Sequence, residues 1–203
     1  VLWRPFSFCE VGYNMTMMQI GQDKAVELLL AGEVIVSPTD TIYGFLADAR
    51  NASAIKKVFD IKGRDSKKPL GVFVKDIAMA KEIAEISEQQ EEYMQNVWPG
   101  TVTIVLEGKG VLPKELGAAD TIGIRVPDSE LLQALLDQVG GPIVQTSVNL
   151  AGEPHLSDPK EIMSLFDGTE HAPAAIINAG ILPEANPSKV IDLTQEESVV
   201  LRV

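Results

Sequence analysis

Lys62 and Arg64 stand one residue apart in the segment Lys62-Gly-Arg-Asp-Ser-Lys-Lys68. In an extended loop, side chains two apart point the same way, so the two cations would face one ligand. A flexible ammonium beside a planar, bidentate guanidinium suits a polyphosphate whose α-phosphorus is under attack. Residues 56–75 carry seven basic side chains against Asp60 and Asp65, a net +5, whereas the rest of the chain sums to −17. A focused anion site and a solvated surface loop both account for such a cluster when it is taken alone.

Other chemistry-bearing residues fall where strands end. Ser37-Pro-Thr-Asp-Thr41 is a turn crowded with short oxygen-bearing side chains, and Ser147-Val-Asn149 follows the apolar run Gly141-Pro-Ile-Val-Gln-Thr146 directly. Arg125 lies inside the apolar stretch Ile122-Gly-Ile-Arg-Val126. There it needs either a structural ion pair or an anionic ligand to offset a desolvation cost of about several kcal/mol. Neither Gly-x-x-x-x-Gly-Lys-[Ser/Thr] nor Gly-x-Gly-x-x-Gly occurs, so phosphates, if bound, are held without a glycine cradle. Ser53-Ala-Ile-Lys56 imitates a penicillin-interacting motif but falls inside an amphipathic helix and lacks its companion motifs. His155 and His171 sit beside prolines in segments that read as exposed, a poor setting for a catalytic base.

These residues require a scaffold, and the 203-residue chain, 45% hydrophobic, suffices for one core. Helices are predicted over Gln22–Ala31, Asn51–Ile61, Ile77–Ile86, Glu88–Asn96, Ser129–Val139 and Pro159–Phe166. Strands are predicted over Glu33–Val36, Leu70–Val74, Val102–Leu106, Ile122–Val126, Ile143–Thr146, Ala174–Ile177, Val190–Leu193 and Val199–Arg202. Their alternation implies an α/β fold with a twisted mixed sheet whose strand-end loops converge on a cleft. The basic segment Lys62–Lys68 is expected in a loop. Residues 1–21 read as an N-terminal extension, in part dispensable because Met15, Met17 and Met18 offer later starts, and 22–203 as the domain.

One cysteine, Cys9, excludes a disulfide framework, and two histidines are too few soft ligands for zinc. The richest apolar stretch, Ala25–Val36, is interrupted by Glu27, Gly32 and Glu33, so no membrane span is expected. A soluble, cytoplasmic protein is the reading. Asn14-Met-Thr16 and Asn51-Ala-Ser53 match the glycosylation pattern, which has no consequence there. The net charge of −12 argues against a phosphate-backbone binder as the main function.

Seven motifs in order carry a resemblance: Pro38-Thr-Asp-Thr-Ile-Tyr-Gly44, Lys62-Gly-Arg64 with Lys68-Pro-Leu70, Trp98-Pro-Gly-Thr-Val-Thr103, Ile124-Arg-Val-Pro127, Ser147-Val-Asn149, Asn186-Pro-Ser-Lys-Val190 and Leu201-Arg202. Together they resemble the YrdC family of threonylcarbamoyl-AMP synthases from about Gly32 to Arg202. The resemblance implies a YrdC-like concave sheet and a reaction of L-threonine, bicarbonate and ATP that yields threonylcarbamoyl-AMP and pyrophosphate. It implies delivery of the product to a tRNA threonylcarbamoyl-transfer complex, with RNA contact as a further expectation. Lys62, Arg64, Lys68, Thr121, Ser147, Asn149 and Arg202 would hold ATP, with Lys62 and Arg64 also catalytic. Thr41, Arg125 and Ser188 would hold threonine, with Arg125 on its carboxylate. Mg²⁺ is expected on the β- and γ-phosphates without a protein cage.

The chain departs from the family pattern at Val148, at Lys189, where threonine is frequent, and at Phe73, where some members carry histidine. Ending at Val203, it reads as the short form, without the Pro-Gly and extra domain of longer relatives. A YciO-like paralogue is the near alternative, but that type tends to lose the Lys-x-Arg and Ser-x-Asn groups kept here. An RNA-binding module without synthase activity is the distant one, disfavoured by the lack of aromatics among the lysines.

Overall fold

A computed structural model of the chain describes residues 17–65, 68–117, 120–195 and 198–202. Expectations for residues 1–14, Cys9, the Asn14 sequon, Lys67 and Val203 lie outside them. Among the described residues, strands and helices alternate from β1 (Met18–Gln19) and α1 (Gln22–Leu30) to β2 (Ile35–Pro38), β3 (Tyr43–Asp48) and α2 (Ala52–Lys62). There follow β4 (Gly71–Phe73), α3 (Ile77–Ile83), α4 (Glu88–Val97), β5 (Val102–Glu107), β6 (Thr121–Arg125) and α5 (Glu130–Val139). The series closes with β7 (Ile143–Ser147), α6 (Pro159–Phe166), β8 (Ala175–Ile176), β9 (Lys189–Asp192) and β10 (Val199–Arg202). The strands form one mixed sheet in the order β1-β8-β2-β3-β7-β4-β6-β5-β9-β10. The α/β class and mixed sheet expected from the alternation are what the chain forms.

Alternation along the strands sends side chains to two faces. One face, with Phe45, Ala47, Val72, Ile104, Ile124 and Val144, packs under α2, α3, α4 and α6 in a continuous core. Phe166 of α6 meets Phe45 edge-on at 5.4 Å between ring centroids. The other face is divided. At one end Leu46, Phe73 and Ile143 pack under α1 and α5 with Leu29, Leu132 and Leu136. Beyond them the same face carries Gly44, Gly71, Gly123 and Thr103, side chains too small to hold a helix, and it stays open as a cleft.

Four expectations need correction. β3 was not foreseen, because all six of its residues are buried and a run buried on both faces lacks the period-two signal. β2 runs through Ser37 and Pro38, which read as turn, because the chain reverses in the four residues Thr39–Ile42 to pair Pro38 with Tyr43. The helix at Ile77 stops at Ile83, where extended Ala84 bridges Gly108. β1 pairs with β8, so the sheet begins ahead of Gln22.

Helix α2 positions the basic segment, and both its ends are specified locally. Asn51 accepts hydrogen bonds from the backbone amides of Ser53 and Ala54 as an N-cap. At the far end Gly63 adopts a left-handed φ of 58°, and the Arg64 amide returns to the Phe59 carbonyl at 3.2 Å. Lys62 is therefore the last helical residue, not part of an extended loop. Asn51→Ala is expected to lower stability by about 1 kcal/mol in urea unfolding, with Asn51→Ser retaining most of it.

Candidate active site

The cleft encloses about 490 Å³, and its walls are loops at strand ends. Thr41, Arg64, Thr121, Arg125, Ser147, Asn149, Ser188 and Arg202 all line it, although they come from positions scattered over most of the chain. Lys62 stands behind the wall instead, and Lys68 is exposed and does not line the cleft.

Lys62 is 2% exposed. Its Nζ donates to the Ser147 carbonyl at 2.5 Å, the Asn149 carbonyl at 3.2 Å and Asn149 Oδ1 at 2.7 Å. Asn149 Oδ1 also accepts from Ser147 Oγ at 2.7 Å, and the Lys62 carbonyl accepts from the Ala151 amide at 2.9 Å. The end of α2 is thus stitched to the turn after β7, and the Lys62 ammonium holds the Asn149 side chain, to which the Ser147 hydroxyl donates. Its Nζ also lies 5.5 Å from the centroid of the Phe45 ring. Burial lowers its pKa to about 7, and the charge of Arg64 acts in the same direction.

Arg64 emerges after the Gly63 turn, half-buried, with Nη2 donating to the Pro69 carbonyl at 3.0 Å. Its Nε is buried without a partner among the described residues. Burial also lowers the Arg64 pKa, although a guanidinium remains charged at neutral pH.

Arg125 forms an ion pair that leaves part of its guanidinium unused. It is 1% exposed, and Nη2 donates to Asp40 Oδ1 at 2.8 Å. The other carboxylate oxygen of Asp40 accepts from the Asp128 amide at 3.0 Å. The guanidinium lies 4.8 Å from the centroid of Phe73, its register partner on β4. Nε and Nη1 have no partner among the described residues, a costly arrangement for buried donors. Burial lowers its pKa, Asp40 opposes this, and nearby Arg202 adds to it. Phe73 is thus a fully buried platform under Arg125 rather than a wall of the cleft.

On the far wall Ser188, 5% exposed, shares a hydrogen bond with Thr103 Oγ1 at 2.8 Å and accepts from Arg202 Nη2 at 3.1 Å. Arg202 Nε donates to the Ser188 carbonyl at 2.8 Å, which seats the last described residue of β10 beside β9. Lys189 projects to solvent. Thr41 belongs to the hairpin turn, held by the Thr39 hydroxyl, which accepts from the Thr41 and Ile42 amides.

The sequence reading missed three lining or supporting groups. Asp40 was seen only as a turn residue, because a pairing with Arg125, 85 positions away, leaves no local trace. His155 was placed in an exposed segment, yet it is half-buried and lines the cleft, since the Leu156 amide ties its segment to the Val148 carbonyl at 2.9 Å. Gln145 stands on the cleft floor, and its signal was a polar residue inside an apolar strand, the same signal that marked Arg125. Arg64, Arg125, Arg202 and several hydroxyl groups line the open sheet face, with Lys62 behind its wall, a positive lining of a kind that can receive anions.

Comparison with known proteins agrees with this geometry. The Sua5/YciO/YrdC family model, described as "Telomere recombination", matches residues 27–203. The threonylcarbamoyl-AMP synthase of Bacillus subtilis is 34% identical over 187 residues, 91% of this chain and 53% of that protein. The crystal structure of Pyrococcus abyssi Sua5 complexed with L-threonine superposes with a TM-score of 0.82 at 30% identity, covering 92% of this chain and 56% of that one. The structure of Escherichia coli YciO gives a TM-score of 0.80 at 31% identity, with 92% and 91% covered. The chain spans about half the length of the first two relatives. With its motifs, its sheet and its cleft all in accord, the chain belongs to the Sua5/YciO/YrdC family.

Proposed function

We propose that the cleft makes threonylcarbamoyl-AMP from L-threonine, bicarbonate and ATP. The observation that carries this reading is Arg125, a buried guanidinium in the lining of a cleft that also gathers Arg64 and Arg202, two of whose nitrogens, Nε and Nη1, have no partner among the described residues. One anion is wanted at Arg125 and another, more highly charged, near Arg64. An amino-acid carboxylate and a triphosphate meet both demands.

In this reading Arg125 takes the carboxylate of threonine, with Thr41 and Ser188 beside it. The threonine amine attacks the carbon of CO₂ derived from bicarbonate and loses a proton, giving the carbamate. A carbamate oxygen then attacks the α-phosphorus, the bond to the β-phosphate oxygen breaks, and pyrophosphate leaves. Arg64 stabilises the charge on the equatorial phosphoryl oxygens in a partly dry cleft, where fixed donors act more strongly than in water. Ser147, Asn149, Thr121 and Arg202 orient the nucleotide, so that positioning supplies much of the acceleration. Lys62 contributes its charge from behind the wall and holds Ser147 and Asn149 in place. Lys68, exposed in the structure, would reach only the outer phosphates. Among the described residues no group of three or more His, Cys, Asp or Glu side chains gathers to hold a metal. Mg²⁺ would enter as part of the metal–nucleotide substrate.

The YciO-like alternative has the full-length structural match in its favour. Against it stand the retained Lys62, Arg64, Ser147 and Asn149, all collected at one wall. Use of the product by a tRNA-modifying complex belongs to the same proposal, as does work in the cytoplasm; no described helix is long and apolar enough to cross a membrane.

Pyrophosphate release from ATP is expected only when both L-threonine and bicarbonate are present. Release without threonine, or none, would rule the synthase reading out. Arg64→Ala is expected to lower turnover on the order of a hundredfold with an unchanged thermal midpoint; normal turnover would make the basic segment a solvated surface. ATP affinity should also fall as pH rises from 7 to 9, because Lys62 loses its proton above about 7 and the anion then meets one charge fewer. Calorimetry across that range checks it, and Lys62→Arg, which does not titrate, should flatten the profile.

A further inference from the structure

The registers of the sheet arrange the cleft floor in three transverse rows, about 6.7 Å apart because two residues separate them along each strand. Arg125 of β6 and Thr103 of β5 lie in the first row, at the proposed amino-acid end. Ser147 of β7 and Thr121 of β6 lie in the third, at the proposed nucleotide end. The middle row is Gln145 of β7, Gly71 of β4, Gly123 of β6 and Val105 of β5. A diagonal from Arg125 to Ser147 crosses β4 at Gly71.

Gly71 itself offers nothing there, but its neighbour does. A Cβ on Gly71 would come within 3.0 Å of Gln145 Nε2 and 3.4 Å of the Gly123 carbonyl. The Gln145 carboxamide therefore lies over Gly71, in the space that any larger residue would take. It is half-buried, reaches the cleft, and makes no hydrogen bond to any other described residue. Its backbone is held between β3 and β4, opposite Leu46 and Gly71, so the group is carried by a central strand rather than a loop.

We propose that Gln145 is a further substrate-contacting residue, and that its carboxamide pairs with the carbamate formed between threonine and the α-phosphate. The assignment rests on the synthase reading, because that reaction requires a carbamate between the two anion-binding ends. A carbamate is planar and presents an N–H and an oxygen on one edge. A carboxamide presents the complement, a carbonyl oxygen and an N–H, so the two close a ring of two hydrogen bonds. Beside the carboxamide, Gly123 leaves room for a flat group to lie against the sheet, since a Cβ there would meet nothing nearer than 3.5 Å. The pair forms only once nitrogen is bonded to the CO₂ carbon, so it stabilises the carbamate and the transition state that follows it more than either separate substrate. No proton changes place at Gln145; it holds the carbamate while the oxygen–phosphorus bond forms and pyrophosphate departs.

Gln145→Met keeps the length of the side chain and removes both hydrogen-bonding groups. Its kcat for pyrophosphate release is expected to fall on the order of tenfold to a hundredfold, with a higher KM for bicarbonate. Its calorimetric affinity for L-threonine without bicarbonate, and its thermal midpoint, should match the wild type. Gln145→Glu, which loses the donor and adds a charge facing phosphate, should be slower still. If the Met variant keeps the wild-type kcat and bicarbonate KM, or loses threonine affinity in proportion to its rate, the assignment is wrong while the synthase reading stands. A wild-type protein that releases no pyrophosphate overturns both.

Discussion

A guanidinium at 1% exposure with only one of its nitrogens bonded among the described residues is an expensive feature, and the cleft is organised around it. Removing Arg125 from water costs about several kcal/mol, and the single bond to Asp40 recovers only part of that. Asp40 can serve because the hairpin turn between β2 and β3 brings it over the end of β6, where the Asp128 amide holds its second oxygen. Phe73 then fixes the plane of the guanidinium from below. The result is a charge that cannot relax towards solvent and has donors to spare. Such preorganisation lowers the cost of binding an anion, because neither the charge nor its direction changes when the anion arrives.

The second charge, Lys62, is used in the opposite way. All its donors are committed to the turn after β7, and its burial brings the pKa close to neutrality. It joins helix α2 to the strand-end turn that carries Ser147 and Asn149, so the end of the helix, the Gly63 reversal and that turn are held together. Arg64, one turn of chain later, is the member of the pair that reaches the cleft. Between the two ends lies a floor of Gly71, Gly123, Gln145 and Val105, where the helical cover of that face has stopped.

Much of this was legible in the sequence because it is local. The apolar periods of α2 and α5, their caps, and a charge stranded within Ile122-Gly-Ile-Arg-Val126 are all consequences of neighbours along the chain. What escaped depends on distant partners. β3 lacks alternation because it is covered on both faces, and Asp40 becomes an ion-pair partner only through the fold. Lys62 was misjudged by one helical residue, enough to turn an expected ligand-facing cation into a buried clamp. Of the two alternatives left open for Arg125, the structure shows the ion pair, which uses Nη2 and leaves Nε and Nη1 without a partner among the described residues.

If Arg125 with its two unpartnered nitrogens is a carboxylate site, a comparison of two ligands in calorimetry tests that claim most directly. L-threonine and L-threoninol share the amine and the side-chain hydroxyl, but the alcohol lacks the carboxylate. Hydrogen bonds to a charged group contribute about 1.5–3 kcal/mol, so L-threonine should bind roughly tenfold or more tightly. Equal affinities, or no measurable binding of L-threonine, would contradict the claim.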